Sequence, residues 1–177
     1  LGEEEVAATR QALGWEYGPF EIPADVYAAW DARGRGAAWE KVWDKTMAAY
    51  AAAHPQLAAQ LQRRLTGELP ADFSQQAAAY IARCQQDGKS IASRKASENC
   101  LNAFGPLLPE LLGGSADLTG SNGTRTKHHT SVSRSDFKAN YMHWGVREHG
   151  MAAAMNGLAL HGGFVPYGAT FLVFTDY

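Results

Sequence analysis

Three short apolar segments constrain the fold of this chain more than any other feature. Segments 111–118 (LLGGSADL), 141–144 and 164–169 each have the length of a buried strand. Residues 147–160, between the last two segments, have the pattern of an amphipathic helix that a Gly-Gly pair ends. This alternation of strand and helix predicts a parallel sheet with right-handed crossovers. The sequence therefore favours an α/β fold in its second half.

The region before residue 90 is predicted to be mostly helical. An acidic helix is expected at 3–13, and the Ala-rich region 24–53 is expected to be divided into two helices by Gly34 and Gly36. Proline favours the first turn of a helix, so Pro55 and Pro70 are predicted to start two more.

Two further helices are predicted at the borders of the α/β region. Ser93 is a candidate N-cap for a helix that runs to about Phe104. Another helix is expected to begin at Phe171, after the third apolar segment.

Composition and charge exclude several functional classes. The 177 residues are 46% hydrophobic with a net charge of −2, which argues against nucleic-acid binding. No apolar run is long enough to span a bilayer, and the acidic start is unlike a signal peptide. The two cysteines form no CxxC pair, which suits a reducing compartment, and we expect a cytoplasmic location. The start on Leu1 and the end after an apolar stretch predict a segment of a longer polypeptide.

The polar residues that follow the predicted strands mark a candidate site. Asp117, the polar loop 119–140 and residues 145–148 all fall at carboxyl ends of strands. Ligands of open parallel sheets bind at that edge.

Two long stretches resemble transketolases, namely IASRKASENCLNAFGPLLPELLGGSADLTGSN and NYMHWGVREHGMAAAMNGLALHGGFVPYGATFLVFTDY. The resemblance implies a thiamine-diphosphate-binding fold: a parallel sheet flanked by helices, truncated, and preceded by a helical linker. It implies the tail of a pyrophosphate-binding domain at 1–22, an interdomain linker at 23–90, and the first part of a pyrimidine-binding domain at 91–177.

The resemblance also implies an activity and its partners. Transketolases transfer a two-carbon ketol unit from a ketose phosphate such as xylulose 5-phosphate to an aldose phosphate such as ribose 5-phosphate, in the pentose phosphate pathway or the Calvin cycle. They use thiamine diphosphate and Mg²⁺, whose ligands we expect outside this segment, so the segment alone is expected to be inactive. A homodimer with the cofactor at the subunit interface is expected, with no nucleic-acid or membrane partner.

Glu148 is the candidate catalytic residue. Thiamine chemistry needs a carboxyl group that shares a proton with a ring nitrogen of the aminopyrimidine, and transketolases use the Glu that Glu148 matches. From position alone, a simpler interpretation is that Glu148 favours the positive end of its own helix.

Three aromatic residues, Phe171, Phe174 and Tyr177, recur at i, i+3 and i+6. Such a stripe is more often part of a hydrophobic core. The resemblance implies instead that these side chains form a wall on which the aminopyrimidine stacks.

Three polar residues complete the expected site. The resemblance implies that Asp117 lies at the cofactor site across the dimer interface, although an aspartate there can simply cap a turn. It also implies that Arg94 and Ser121 bind the sugar phosphate, which suits the planar donor fork of arginine.

The sequence leaves other functions open. The thiamine enzymes dihydroxyacetone synthase, phosphoketolase and 1-deoxyxylulose-5-phosphate synthase have a similar pyrimidine module. A non-catalytic dimerisation module with a transketolase-like sheet is a further alternative. The pair His128-His129 is set aside as a metal site, because adjacent residues are poor chelators without further ligands.

Overall fold

The computed structural model describes residues 2–176, which form two compact units, one up to His54 and the other from Pro55 onward. The first unit consists of three helices: α1 (Glu3–Ala12), α2 (Ala24–Trp30) and α3 (Arg33–Ala53).

The division of region 24–53 into two helices is confirmed, but the predicted position of the break is wrong. Gly34 and Gly36 lie inside the first turn of α3, and the chain leaves helical geometry at Asp31, whose ψ is 101°. The Asp31 carboxylate accepts a hydrogen bond from the backbone N–H of Arg33 at 3.0 Å. Asp31, rather than a glycine, therefore ends α2, because this local bond competes with the helical pattern.

The second unit begins with three helices and continues into the α/β region. The helices are α4 (Pro55–Leu65), α5 (Phe73–Asp87) and α6 (Ser93–Phe104), and a 3-10 turn covers Gly105–Leu107. The remaining elements are β1 (Leu111–Ser115), α7 (Thr119–Asn122), β2 (Tyr141–His143), α8 (Glu148–His161) and β3 (Val165–Ala169), followed by a 3-10 turn at Leu172–Phe174.

Of the helix starts predicted at Pro55, Pro70 and Ser93, one is confirmed and two are displaced. Pro55 is the first residue of α4, as predicted. Pro70 lies before α5, because its carbonyl accepts the Phe73 amide in a turn at 3.0 Å and the helix begins only there. Ser93 is the first helical residue of α6 rather than its N-cap, a position that Ala92 occupies.

The sheet is parallel throughout, in the order β2-β1-β3. Ser115, the last residue of β1, is level with His143 at the end of β2 and with Ala169 at the end of β3. The predicted α/β fold with a parallel sheet is thus confirmed, and its strands end at one common edge.

The sheet packs closely in its middle. A Cβ atom on Gly113 would overlap the carbonyl oxygen of Tyr167 on the neighbouring strand, so only glycine fits there. Helix α8 packs on β3, where Gly168 leaves room for the sulfur of Met151. Tyr141 of β2 is fully buried.

The helix predicted from Phe171 is wrong within the described residues. Phe171 itself is extended, with φ −86° and ψ 149°. The turn that follows is closed by short-range bonds from the Phe174 amide to the Phe171 carbonyl and from Thr175 to Leu172, at 2.9 and 3.1 Å. None of the described helices is both long and apolar enough to cross a membrane.

Candidate functional site

The carboxyl edge of the sheet brings the candidate residues into one region. Asp117 follows β1 by two residues, Glu148 begins the helix after β2, and Thr170 follows β3 directly. Because the three strands end level with one another, these segments leave the sheet side by side. The expectation that Asp117 and Glu148 fall at carboxyl ends of strands is confirmed.

Glu148 is buried at the start of α8, with 8% of its surface exposed. Its Oε1 atom accepts a hydrogen bond from the Thr170 hydroxyl at 3.5 Å. The acidic residues Glu3, Glu4 and Glu5 in the first turn of α1 are all exposed, as is usual for carboxylates that merely favour a helix N-terminus. The helix dipole alone does not explain why Glu148 is buried.

The turn before Glu148 depends on one glycine. Gly145 has φ +65°, a left-handed conformation that favours glycine. The Arg147 guanidinium folds back over this turn and donates to the Trp144 carbonyl at 2.8 Å. The turn thereby directs the chain from β2 into α8.

Asp117 lies in a turn rather than in a strand. The prediction that β1 extends to residue 118 is wrong, because the Ser115 hydroxyl accepts the Leu118 amide at 3.2 Å and closes a turn. Asp117 has φ +62° in that turn, which is uncommon for a residue other than glycine, and its side chain is exposed.

Ser115 connects three segments at the sheet edge. Besides the Leu118 amide, its hydroxyl accepts the Asn122 side-chain amide at 3.0 Å and donates to the Ala169 carbonyl at 3.1 Å. Only 1% of Ser115 is exposed. One buried hydroxyl therefore holds the turn that contains Asp117, the helix α7 and the end of β3.

The segment after α7 is fixed by a second buried polar cluster. The Tyr141 hydroxyl lies 2.7 Å from the Thr119 hydroxyl and 2.8 Å from that of Thr124, which also contacts Asn122. The predicted polar loop 119–140 is therefore partly internal, while its basic side chains are exposed (Arg125, Lys127, Arg134 and Lys138).

His129 belongs to the same internal part of the loop. Its Nδ1 atom accepts the Thr126 amide at 2.9 Å, so the ring proton resides on Nε2, which lies 3.2 Å from the Tyr167 hydroxyl. Burial lowers the pKa of His129, and the positive charges of His128 and Arg125 lower it further. His129 is thus a neutral structural residue.

Neither histidine of the His128-His129 pair has the surroundings of a metal ligand. No group of three or more His, Cys, Asp or Glu side chains that could hold a metal ion occurs within residues 2–176.

Arg94 and Ser121 lie on neighbouring elements. Both side chains are exposed, Arg94 in the first turn of α6 and Ser121 in α7, and the two helices are in contact. Glu98, one turn after Arg94, packs against Gly123, two residues after Ser121.

The predicted aromatic wall is only partly described. Phe171 directly follows Thr170 and is 37% exposed, and Phe174 is half-buried. The two do not continue one α-helical face, because Phe171 is extended. Tyr177 lies outside the described residues.

A cavity of about 290 Å³ lies at the opposite edge of the sheet. It is lined by Arg64, Glu110, Gly162 and Val165, among other residues. Glu110 directly precedes β1 and Val165 begins β3, so the cavity is at the amino ends of the strands, away from Glu148.

Sequence reasoning missed Ser115, Asn122 and Thr170. Ser115 lies inside the predicted strand 111–118, and Thr170 directly follows the predicted strand 164–169. For Thr170 the one available signal was its place directly after a predicted strand, whereas no sequence pattern marks Ser115 or Asn122.

Comparison with known proteins agrees with this architecture. The family described as "Transketolase, pyrimidine binding domain" matches residues 89–177, and "Transketolase, thiamine diphosphate binding domain" matches residues 1–70. Transketolase 2 of Vibrio parahaemolyticus and transketolase 1 of Aliivibrio fischeri are each 59% identical to the chain over all 177 residues. The chain spans about a quarter of the length of these relatives, 27% in both cases.

Solved structures give the same result. A transketolase from Leishmania mexicana is 36% identical, with a TM-score of 0.77, and the match covers 98% of this chain and 25% of that one. A Pichia stipitis transketolase in complex with sedoheptulose 7-phosphate is 35% identical, with a TM-score of 0.78, over 93% of this chain and 25% of that one. With its parallel sheet and the pyrimidine-domain match over half its length, the chain has the thiamine-diphosphate-binding fold and belongs to the transketolase family.

Proposed function

We propose that this chain provides the pyrimidine-binding part of an active transketolase. The reaction is the transfer of a two-carbon ketol unit from xylulose 5-phosphate to ribose 5-phosphate. Family membership supports this proposal, and Pichia stipitis transketolases have been solved with sedoheptulose 7-phosphate and xylulose 5-phosphate. The observation that carries it is the buried carboxyl group of Glu148 at the carboxyl edge of the sheet.

The described residues fit the aminopyrimidine end of thiamine diphosphate. When bound, this cofactor supplies a nucleophilic ring carbon that accepts the two-carbon unit. Glu148 would hold a proton against a ring nitrogen of the aminopyrimidine, a task that suits a carboxyl group shielded from water. Phe171 and Phe174, just beyond Thr170, would offer their rings for stacking, and Tyr177 is proposed as the third member of this wall.

The sugar phosphate would bind beside this pocket. We assign it to Arg94 and Ser121, whose exposed side chains lie on the contacting helices α6 and α7. A guanidinium group offers a phosphate two parallel hydrogen bonds, and a hydroxyl adds one more.

The rest of the assembly follows the family pattern. Asp117 would face the cofactor across the interface of a homodimer, and Mg²⁺ would be held by residues outside this segment. We propose a cytoplasmic enzyme in which residues 1–22 end the pyrophosphate-binding domain, 23–90 link the domains and 91–177 begin the pyrimidine-binding domain.

The functional tests use these 177 residues joined to the flanking regions that full-length relatives possess, here named the extended chain. In the extended chain, Glu148→Gln should lower kcat for xylulose 5-phosphate and ribose 5-phosphate by about 10²- to 10⁴-fold, the range for loss of an acid–base group. The matched control is Glu4→Gln, an exposed first-turn carboxylate on α1 that should leave kcat unchanged.

The two ways in which this test can fail have different meanings. Equal activity of Glu148→Gln and the parent would remove Glu148 from the mechanism. Absence of ketol transfer by a folded parent supplied with thiamine diphosphate and Mg²⁺ would refute the transketolase activity itself.

A further inference from the structure

The hydroxyl of Thr170 contacts the carboxyl group of Glu148, and the proposed function assigns no role to Thr170. Its hydroxyl donates to Oε1 of Glu148 at 3.5 Å, and both residues lie at the carboxyl edge of the sheet. Thr170 is half-buried and immediately precedes Phe171.

The backbone that presents Thr170 is held on the sheet by two hydrogen bonds from adjacent residues at the end of β1. The carbonyl of Ala169 accepts the Ala116 amide at 3.0 Å and the Ser115 hydroxyl at 3.1 Å. Because this carbonyl belongs to the Ala169–Thr170 peptide group, β1 fixes the plane from which the Thr170 side chain projects. The threonine hydroxyl therefore reaches Glu148 from a rigid position.

The contact makes the two oxygens of Glu148 unequal. Oε1 accepts the Thr170 hydroxyl, whereas Oε2 has no hydrogen-bond partner among residues 2–176. A carboxyl group that exchanges a proton with a ligand nitrogen does so through one oxygen, and the oxygen already engaged by a donor is the poorer choice.

We propose that Thr170 is a positioning residue that directs Oε2 of Glu148 toward the aminopyrimidine nitrogen. The proton moves between Oε2 and that nitrogen, while the hydroxyl of Thr170 continues to donate to Oε1 in both protonation states. This inference rests on the proposed function, because it requires an aminopyrimidine opposite Glu148.

A purely structural role predicts a different pattern of binding. If Thr170 only supports the turn after β3, its loss should weaken any ligand of the pocket equally. If it orients Oε2, its loss should weaken only ligands that have the ring nitrogen. A thiamine diphosphate analogue with C–H in place of that nitrogen separates the two cases.

The experiment measures the affinity of the extended chain for thiamine diphosphate and for this analogue, by fluorescence titration in Mg²⁺. Thr170→Val removes the hydroxyl and keeps the shape of the side chain, and Thr170→Ser keeps the hydroxyl. Thr175→Val is the matched control, because the Thr175 hydroxyl donates to the Leu172 carbonyl at 2.7 Å on the exposed side of the same segment.

Thr170→Val should weaken thiamine diphosphate binding and lower kcat by about two- to tenfold each, the size expected for one ordinary hydrogen bond. Affinity for the analogue and KM for ribose 5-phosphate should stay unchanged. Thr170→Ser should restore the parent values, and Thr175→Val should match them throughout.

Three outcomes overturn the inference. Thr170→Val can weaken the binding of thiamine diphosphate and of the analogue alike, which indicates a structural role. It can also bind both ligands as tightly as the parent does. Thr170→Ser can behave like Thr170→Val, which shows that the hydroxyl is not what matters. If the parent itself binds no thiamine diphosphate, the proposed function fails and this inference with it, whereas the first three outcomes leave the proposed function intact.

Discussion

The guanidinium group of Arg63 holds the buried carboxylate of Glu110 through two parallel hydrogen bonds, Nη1 to Oε1 at 2.7 Å and Nη2 to Oε2 at 2.9 Å. The Arg64 Nε atom lies 3.7 Å from the same carboxylate. Glu110 immediately precedes β1, and its carbonyl accepts the Val165 amide at the start of β3. This ion pair therefore joins α4 to the amino end of the sheet.

Arg63→Ala should destabilise the chain by about 3 kcal/mol, because it leaves most of a buried carboxylate uncompensated. Arg33→Ala is the matched control: Arg33 makes an equally short two-point contact with Asp31, but both side chains are exposed, at 91% and 38%. Arg33→Ala should lower the free energy of unfolding by less than about 1 kcal/mol. If urea unfolding shows the same decrease in free energy of unfolding for both variants, burial of Glu110 does not determine the strength of its ion pair.

The His129 imidazole should make stability depend on pH. Burial lowers the pKa of His129 in the folded chain below its ordinary value of 6.5, which the unfolded chain retains. As the pH falls through 6.5, the unfolded chain takes up a proton before the folded chain does, so the free energy of unfolding decreases. At higher pH, where both states are neutral, this contribution is fully present.

The measurement is the free energy of unfolding at a series of pH values between about pH 8 and about pH 5, the range in which histidine titrates. His129→Gln should show a smaller decrease on acidification than the parent. His54→Gln, at an exposed position, should retain the decrease of the parent. An unchanged slope in His129→Gln would assign the pH dependence to other groups.

Two glycine-to-alanine substitutions should act in opposite directions. Gly113→Ala should destabilise the chain by more than about 3 kcal/mol or prevent folding, since the new methyl group overlaps the Tyr167 carbonyl. Gly157→Ala, inside α8 with open space around it, should stabilise the chain by about 0.5–1 kcal/mol. Thermal unfolding of both variants checks the pair, and a mild effect at Gly113 would show that the strands can move apart.

Ser115→Ala should lower the free energy of unfolding by about 2–3 kcal/mol, because it removes one donor and leaves buried partners without their hydrogen bonds. Ser135→Ala provides the comparison, since Ser135 is exposed and, within residues 2–176, its hydroxyl is hydrogen-bonded only to the Ser133 hydroxyl, at 3.2 Å. Its effect should stay within about 0.5 kcal/mol. Similar urea midpoints for the two variants would show that water can replace the contacts of Ser115.

The parallel sheet was predictable because its signals are local. The apolar segments at 111–118, 141–144 and 164–169 and the helix between the last two are readable from composition and period alone. The carboxyl edge followed from topology, which placed Asp117 and Glu148 correctly at strand ends.

The predictions that are wrong concern features that depend on hydrogen bonds, which sequence patterns do not reveal. The break in region 24–53 depends on the Asp31 carboxylate, and the end of β1 depends on the Ser115 hydroxyl. The contact between Thr170 and Glu148 joins residues 22 positions apart, and no periodicity relates them. No sequence pattern assigned a role to His129, whose ring is hydrogen-bonded inside the loop.

The backbone of Asp117 has a consequence for efforts to engineer this chain. A left-handed conformation costs a non-glycine residue about 1 kcal/mol, and glycine at position 117 would recover it. Variant libraries ranked by melting temperature would therefore enrich Asp117→Gly and discard a carboxylate that we assign to the cofactor site. Selection for heat resistance would favour glycine at position 117, whereas selection for turnover would favour aspartate. Stabilising designs should therefore keep Asp117.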